Sequence, residues 1–218
     1  MNRELKYRIA TSLVLLPILI FCLHSSGFYL MIFLGFVYIF SFYEIFKNTK
    51  NLLFNLISNT VLIFAFYSFH QLRGESNYSL INIYWILSTT FLSDIGGYTF
   101  GKIFKGKKIT KISPNKTYSG LIGSFLFSIF SIPFLNLFQI LLYDQYVINF
   151  YQLKYLILVI LISIVCQLGD LFVSFCKRTI NIKNISNILP GHGGVLDRID
   201  GLIFVLIFIF IVEKIGLI

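Results

Sequence analysis

Apolar stretches long enough to cross a lipid bilayer recur from one end of this 218-residue chain to the other. A spanning helix needs about 20 mostly apolar residues. Seven segments meet or approach that length: 8–23, 27–46, 52–70, 79–99, 118–142, 153–175 and 200–217. In hydrocarbon every backbone N–H and C=O must be paired within the segment, so such segments become helices. The sequence therefore predicts an all-α, polytopic transmembrane protein, with residues 1–218 forming one integral-membrane domain. A mean hydropathy of +0.83 and 12% charged residues exclude an ordinary water-soluble domain. No segment between the spans is long enough to build a core of its own. Basic residues ahead of the Leu13–Leu23 run imitate a signal peptide. No small-residue cleavage site follows, and further spans do, so the segment reads as a retained helix.

The formal net charge is +9, and its distribution argues against nucleic acid as a partner. With seven spans and the N-terminus inside, the cytoplasmic segments hold Arg3, Lys6, Arg8, Lys47, Lys50, Lys102, Lys105, Lys107, Lys108, Lys111, Lys116, Lys177, Arg178, Lys183 and Arg198. The other side keeps only Arg73, Lys154 and Lys214. This positive-inside bias predicts an N-in, C-out topology. It also turns a basic surface toward anionic lipid headgroups. Cys22, Cys166 and Cys176 lie in or beside apolar runs without metal-ligand spacing, and read as packing residues.

Two polar blocks, 94–120 and 167–201, fall on the same predicted side. The second reads QLGDLFVSFCKRTINIKNISNILPGHGGVLDRIDG. Ionisable groups at membrane depth cost about 2.5–3.5 kcal/mol each on insertion scales, so their retention here suggests use. Asp170, Ser174 and Lys177 share one helix face by their spacing. Asp197 and Asp200, three apart, project from one face near a helix N-terminus. Three carboxylates at facing ends of adjacent spans suit Mg²⁺, which takes one or two carboxylates plus phosphate and water oxygens. Glycines around His192 would let backbone N–H groups approach a phosphate. The alternative is that Asp170, Asp197 and Asp200 merely pair with Lys177, Arg178 and Arg198 at the membrane edge. In the first block, Asp94 ends span four, and Lys102, Ser113, Lys116 and Thr117 are candidate phosphate contacts. Lys105, Lys107 and Lys108 read as topology signals. Glu44 reads as a local partner of Lys47.

These residues resemble the signature of the bacterial-type phosphatidate cytidylyltransferase (CDP-diacylglycerol synthase) family. The matching string runs from Ser174 through Lys177-Arg178 and Lys183 to Pro190-Gly-His-Gly-Gly-Val-Leu-Asp-Arg-Ile-Asp200. Gln167-Leu-Gly-Asp170, Asp94-Ile-Gly-Gly-Tyr98, Phe100-Gly-Lys102 and Ile112-Ser-Pro-Asn-Lys-Thr117 are similar to its other blocks. The resemblance implies cytidylyl transfer from CTP to phosphatidic acid, giving CDP-diacylglycerol and pyrophosphate, at the cytoplasmic face of a bacterial inner membrane. It implies Mg²⁺, with a second cation left open, and a homodimer. It implies metal ligation by Asp170 and Asp197 with Asp200 close by, and phosphate binding by Lys177 and Arg178. Ser174, Lys183, His192 and Arg198 fall within the signature. Asn184 stands where the family has Asp, Ser119 where it has Glu, and Ser124 where it has Gly. The chain is also shorter than family members, as if one or two N-terminal helices were missing.

Other membrane classes compete. A channel or transporter would place ionisable groups or helix breaks deep within spans. Here the charges gather at one predicted face, and Pro17 and Pro133 are the prolines inside spans. A lipid phosphotransferase acting on a polyprenyl or ether lipid shares the same chemistry. The Asp197-x-x-Asp200 spacing alone is similar to a CDP-alcohol phosphotransferase, but the rest of that family's pattern is absent.

Overall fold

The computed structural model describes residues 3–25, 27–110, 113, 116–143, 148–149, 151–182, 185–191 and 193–217. Among them are eight helices: α1 (Arg3–Ser25), α2 (Gly27–Asn48), α3 (Leu52–Arg73), α4 (Asn77–Phe104), α5 (Tyr118–Ile129), α6 (Ser131–Tyr143), α7 (Leu153–Thr179) and α8 (Leu196–Lys214). No strand occurs among the described residues, only two isolated backbone bridges in loops. Five stretches are long and apolar enough to cross a membrane, within α1, α2, α3, α5–α6 and α7. Large apolar side chains such as Leu13 (69% exposed) and Phe28 (73% exposed) point outward along these helices, as lipid contact requires. The chain is an all-helical, multi-pass membrane protein.

The predicted span 118–142 is not one helix. It breaks at Phe130, between α5 and α6. Pro133 has no N–H to give Ile129, and its ring crowds that carbonyl, so the helix cannot continue through this point. Phe130 N–H instead bonds Phe127 O at 3.0 Å. Pro17 is tolerated inside α1.

α4 is 28 residues long, about 42 Å at 1.5 Å per residue. Ile81, Ile83, Trp85 and Ile86 are fully enclosed, and so are Thr89 and Ser93. A helix wrapped by its neighbours needs less lipid-facing apolar surface and can carry polar groups that bond across to other helices. Thr89 Oγ1 donates to Ser131 Oγ at 2.9 Å, and the Ser93 and Ser163 hydroxyls lie 2.7 Å apart. These contacts join α4 to α6 and α7.

α4 packs most extensively on α5. The seam is lined by Gly96, Gly97 and Gly101 on one side and Gly120, Gly123 and Ser124 on the other. A Cβ added to Gly123 would sit 2.4 Å from Phe100 Cβ and 2.5 Å from Gly96 O. The two backbones approach too closely for any side chain there, the small-residue packing common in membranes. Just ahead of α5, Lys116 reaches Gln167 and Asp170 in the second half of α7. Gly35 on α2, by contrast, lies in open space, and a Cβ added there would meet nothing within 4 Å. We expect Gly123→Ala to lower the thermal midpoint of the detergent-purified protein, at an overpacking cost of about 1–3 kcal/mol. Gly35→Ala should leave the midpoint unchanged or raise it. Parallel melts monitored by circular dichroism check both.

Candidate active site

One end of the bundle gathers the N-terminal part of α1, the C-terminal turns of α2, α4 and α7, and the starts of α5 and α8. Between α4 and α5 the described residues pair through their backbones. Ile109 N–H bonds Lys116 O at 2.9 Å, and Tyr118 N–H bonds Lys107 O at 3.0 Å. Thr117 then caps α5, its Oγ1 accepting Gly120 N–H at 3.1 Å. The result aims Lys116 at α7. Its Nζ donates to Asp170 Oδ2 and to Gln167 O, both at 3.1 Å. Gln167 is held in turn from α5, donating to Ser124 Oγ at 3.1 Å. Ser124 thus ties α5 to α7 through its hydroxyl.

On α7, Asp170 and Lys177 lie two turns apart on one face, and α8 packs against that face. Lys177 Nζ is 2.8 Å from Asp197 Oδ1 and 3.8 Å from Asp200 Oδ2. These three side chains are 13%, 14% and 16% exposed, so water screens them less than it would a surface pair. Asp200 Oδ1 accepts Gly201 N–H at 3.0 Å, at the point where α8 lies against Asp170 and Cys166 of α7. Gly201 keeps this approach open, since a Cβ there would sit 3.0 Å from Asp170 Oδ1 and 2.7 Å from Cys166 Sγ. Cys166 Sγ in turn contacts Asp94 Oδ1 at 3.5 Å.

The structure therefore brings Asp170 and Asp200 together, with Asp94, Lys116 and Lys177 around them. Asp197 joins through Lys177. Its second oxygen accepts Ile185 N–H at 3.2 Å, so this carboxylate also anchors the loop before α8. Arg198 sits in the first turn of α8, its N–H bonded to Val195 O at 3.0 Å. Ser174 stands on the same α7 face as Asp170 and Lys177.

Three other candidates stand elsewhere. Arg178 is exposed and donates to Ile182 O at 2.9 Å, closing the end of α7 rather than facing the carboxylates. Two residues that share a helix face with Asp170 leave no room there for Arg178, which is 100° further round than Lys177. Lys102 is exposed, with its Nζ 5.6 Å from the Tyr98 ring centre. Ser113 O accepts Lys116 N–H at 3.1 Å, so this residue shapes the turn that presents Lys116. Lys183, Asn184 and His192 lie outside the described residues.

The donor set suits a hard divalent cation in part. Asp170 and Asp200 both stand around Gly201, and carboxylate oxygens are the ligand type a hard divalent cation takes. Among the described residues no three His, Cys, Asp or Glu side chains converge as a ligand group. The three-carboxylate set Asp170, Asp197 and Asp200 is thus not gathered as one ligand group, because Asp197 turns to Lys177 and the Ile185 N–H.

The reading of Glu44 as a partner of Lys47 is overturned. Lys47 Nζ sits 6.0 Å from the Tyr43 ring centre. The Glu44 side chain is fully buried and points across to α8. It accepts Val195 N–H at 2.8 Å, Leu196 N–H at 2.9 Å and the Ser186 hydroxyl. A signal for this was present. Val195, at the α8 N-terminus, has no side chain that can cap a helix, so the first N–H groups need an acceptor from elsewhere.

The helical scaffold and its outward apolar faces define a multi-pass membrane protein that carries an acidic-basic cluster at one end. A model of the cytidylyltransferase family matches residues 47–215. The chain belongs to that family. It is 35% identical over 147 residues to a phosphatidate cytidylyltransferase of Bacillus subtilis, covering 67% of this chain and 52% of the relative. It is 36% identical over 154 residues to one of Staphylococcus haemolyticus, covering 70% and 55%. A Rickettsia conorii enzyme of the same name is 34% identical over 145 residues, covering 64% and 60%. The chain thus spans little more than half the length of these relatives.

The Lys177 pairs yield a stability prediction. Lys177→Met should lower the melting midpoint, because it leaves Asp197 and Asp200 without their cation. The expected cost is about 2 kcal/mol, between the exposed and fully buried limits. Adding Asp197→Asn should restore part of the loss. A double-mutant melting cycle gives the coupling, and strict additivity would show that the pair contributes nothing.

Proposed function

We propose that this protein transfers a cytidylyl group from CTP to phosphatidic acid, releasing pyrophosphate and forming CDP-diacylglycerol. The reaction would take place at the cytoplasmic face of a bacterial inner membrane, with the N-terminus inside. The observation that carries the reading is the meeting of Lys116, Asp170, Lys177 and Asp200 from three separate chain segments at one end of the bundle. Family membership and the names of the relatives support the same chemistry.

In this reaction an oxygen of the lipid phosphate attacks the α-phosphorus of CTP. A new P–O bond forms, the α–β bridging bond breaks, and pyrophosphate leaves with the bond pair. The phosphate monoester is already anionic near neutral pH, so it needs little help from a base. The obstacle is repulsion between two anions. Fixed cations near the transferring phosphorus reduce it by positioning and charge stabilisation. Lys116 and Lys177 supply such cations from loop 105–117 and α7. Asp170 and Asp200 would hold Mg²⁺, which when bound supplies further positive charge to the triphosphate. Asp197 keeps Lys177 and the loop at Ile185 in place. A site at the end of the bundle lets the acyl chains stay in lipid while the headgroup reacts.

The test is a pyrophosphate-release assay with the purified protein, CTP, phosphatidic acid and Mg²⁺. Activity should require both substrates and disappear with EDTA. Asp170→Asn and Asp200→Asn should each lower kcat by about 100-fold or more, the scale seen when a group stabilising transferred charge is removed. A folded Asp200→Asn protein turning over at the parent rate would overturn the assignment.

A further inference from the structure

We infer that Glu44 is a positioning residue for the α8 carboxylates, acting as a helix cap supplied from a distant part of the chain. It lies three residues before the segment that the family model matches. Its role in the site rests on the cytidylyl-transfer reading, while its capping geometry stands apart from it.

The geometry is specific. α8 has no side-chain cap from its own flank. Both Glu44 oxygens fill that role, Oε1 for Val195 N–H and Oε2 for Leu196 N–H. The next residue along is Asp197, and Asp200 follows within the next turn. Whatever fixes the first two N–H groups of α8 therefore fixes the direction in which both carboxylates leave the helix. No salt bridge to Glu44 occurs among the described residues. Its charge is instead met by three hydrogen bonds and by the positive end of the α8 dipole.

The grip extends to the other arm of the loop. Glu44 Oε1 takes the Ser186 hydroxyl, and Asn48, one turn further along α2, donates to Ile185 O at 2.8 Å. Ile185 N–H in turn bonds Asp197. The last turn of α2 thus clamps both ends of segment 185–196. Gly194 permits this, because a Cβ there would lie 3.1 Å and 3.2 Å from the two Glu44 oxygens. Shortening the acid, or replacing one oxygen by a donor NH₂, would set an N–H against an N–H or leave one unpaired. The carboxylate direction would then loosen while the bundle remained.

The experiment uses the whole detergent-purified chain with two readouts. Mn²⁺ binding is followed by electron paramagnetic resonance, and hydrogen exchange of the 186–200 peptides by mass spectrometry. Glu44→Gln should raise the Mn²⁺ Kd about tenfold or more, the usual effect of losing a residue that orients a metal ligand. It should also speed exchange in 193–200 with little change in α3 to α6. Ser186→Ala should shift both readouts in the same direction by a smaller factor. Lys47→Ala should move neither. A folded Glu44→Gln protein with parent-like Mn²⁺ affinity and parent-like exchange in 193–200 overturns the inference. Should Glu44→Gln fail to fold, Glu44→Asp and Ser186→Ala decide it, and parent values in both overturn it. If the parent protein binds no Mn²⁺, the metal reading fails and the exchange data alone judge the positioning. If only the exchange is unmoved while the parent turns over CTP, the positioning fails and the transferase reading stands.

Discussion

A charge withdrawn from water has to be met by another group, and that requirement organises the buried charges at the end of this bundle. Lys177 lies between Asp197 and Asp200, and Lys116 reaches from another loop to Asp170. Glu44 is met by backbone N–H groups and a hydroxyl. Each arrangement ties two or more helices together. The residues gathered at the end of the bundle thus also hold its helices in register.

The glycine seam between α4 and α5 serves the site from a distance. Because the backbones touch at Gly96 and Gly123, the start of α5 lies close beside α4. That fixes where Lys116, two residues ahead of α5, stands and hence where its ammonium can reach. Ser124 adds a bond to Gln167 on α7. A packing feature of three helices is thereby transmitted to the position of one cation.

Much of this was legible in the residues. Apolar length announced the helices, since a continuous apolar run of about 20 residues pairs its own backbone only as a helix. The 170, 174, 177 and 197, 200 spacings announced which polar groups share a face. Other features were not legible. The break at Phe130 follows from Pro133, but apolar length alone runs straight through it. Arg178 sits beside Lys177 in sequence yet points to Ile182 O, because one residue is a third of a helical turn. Glu44 was assigned to its sequence neighbour, whereas its partners lie about 150 residues away.

Composition and periodicity by themselves determined a multi-helix membrane protein with its ionisable groups gathered in two polar blocks, because hydrophobic length and helical spacing are local properties. Only the tertiary structure decided which acid meets which base, that Asp170 and Asp200 are neighbours, and that α2 caps α8. Those pairings depend on how helices far apart in sequence lie against one another. Local sequence carries no record of a partner's position when the bond is made across the bundle.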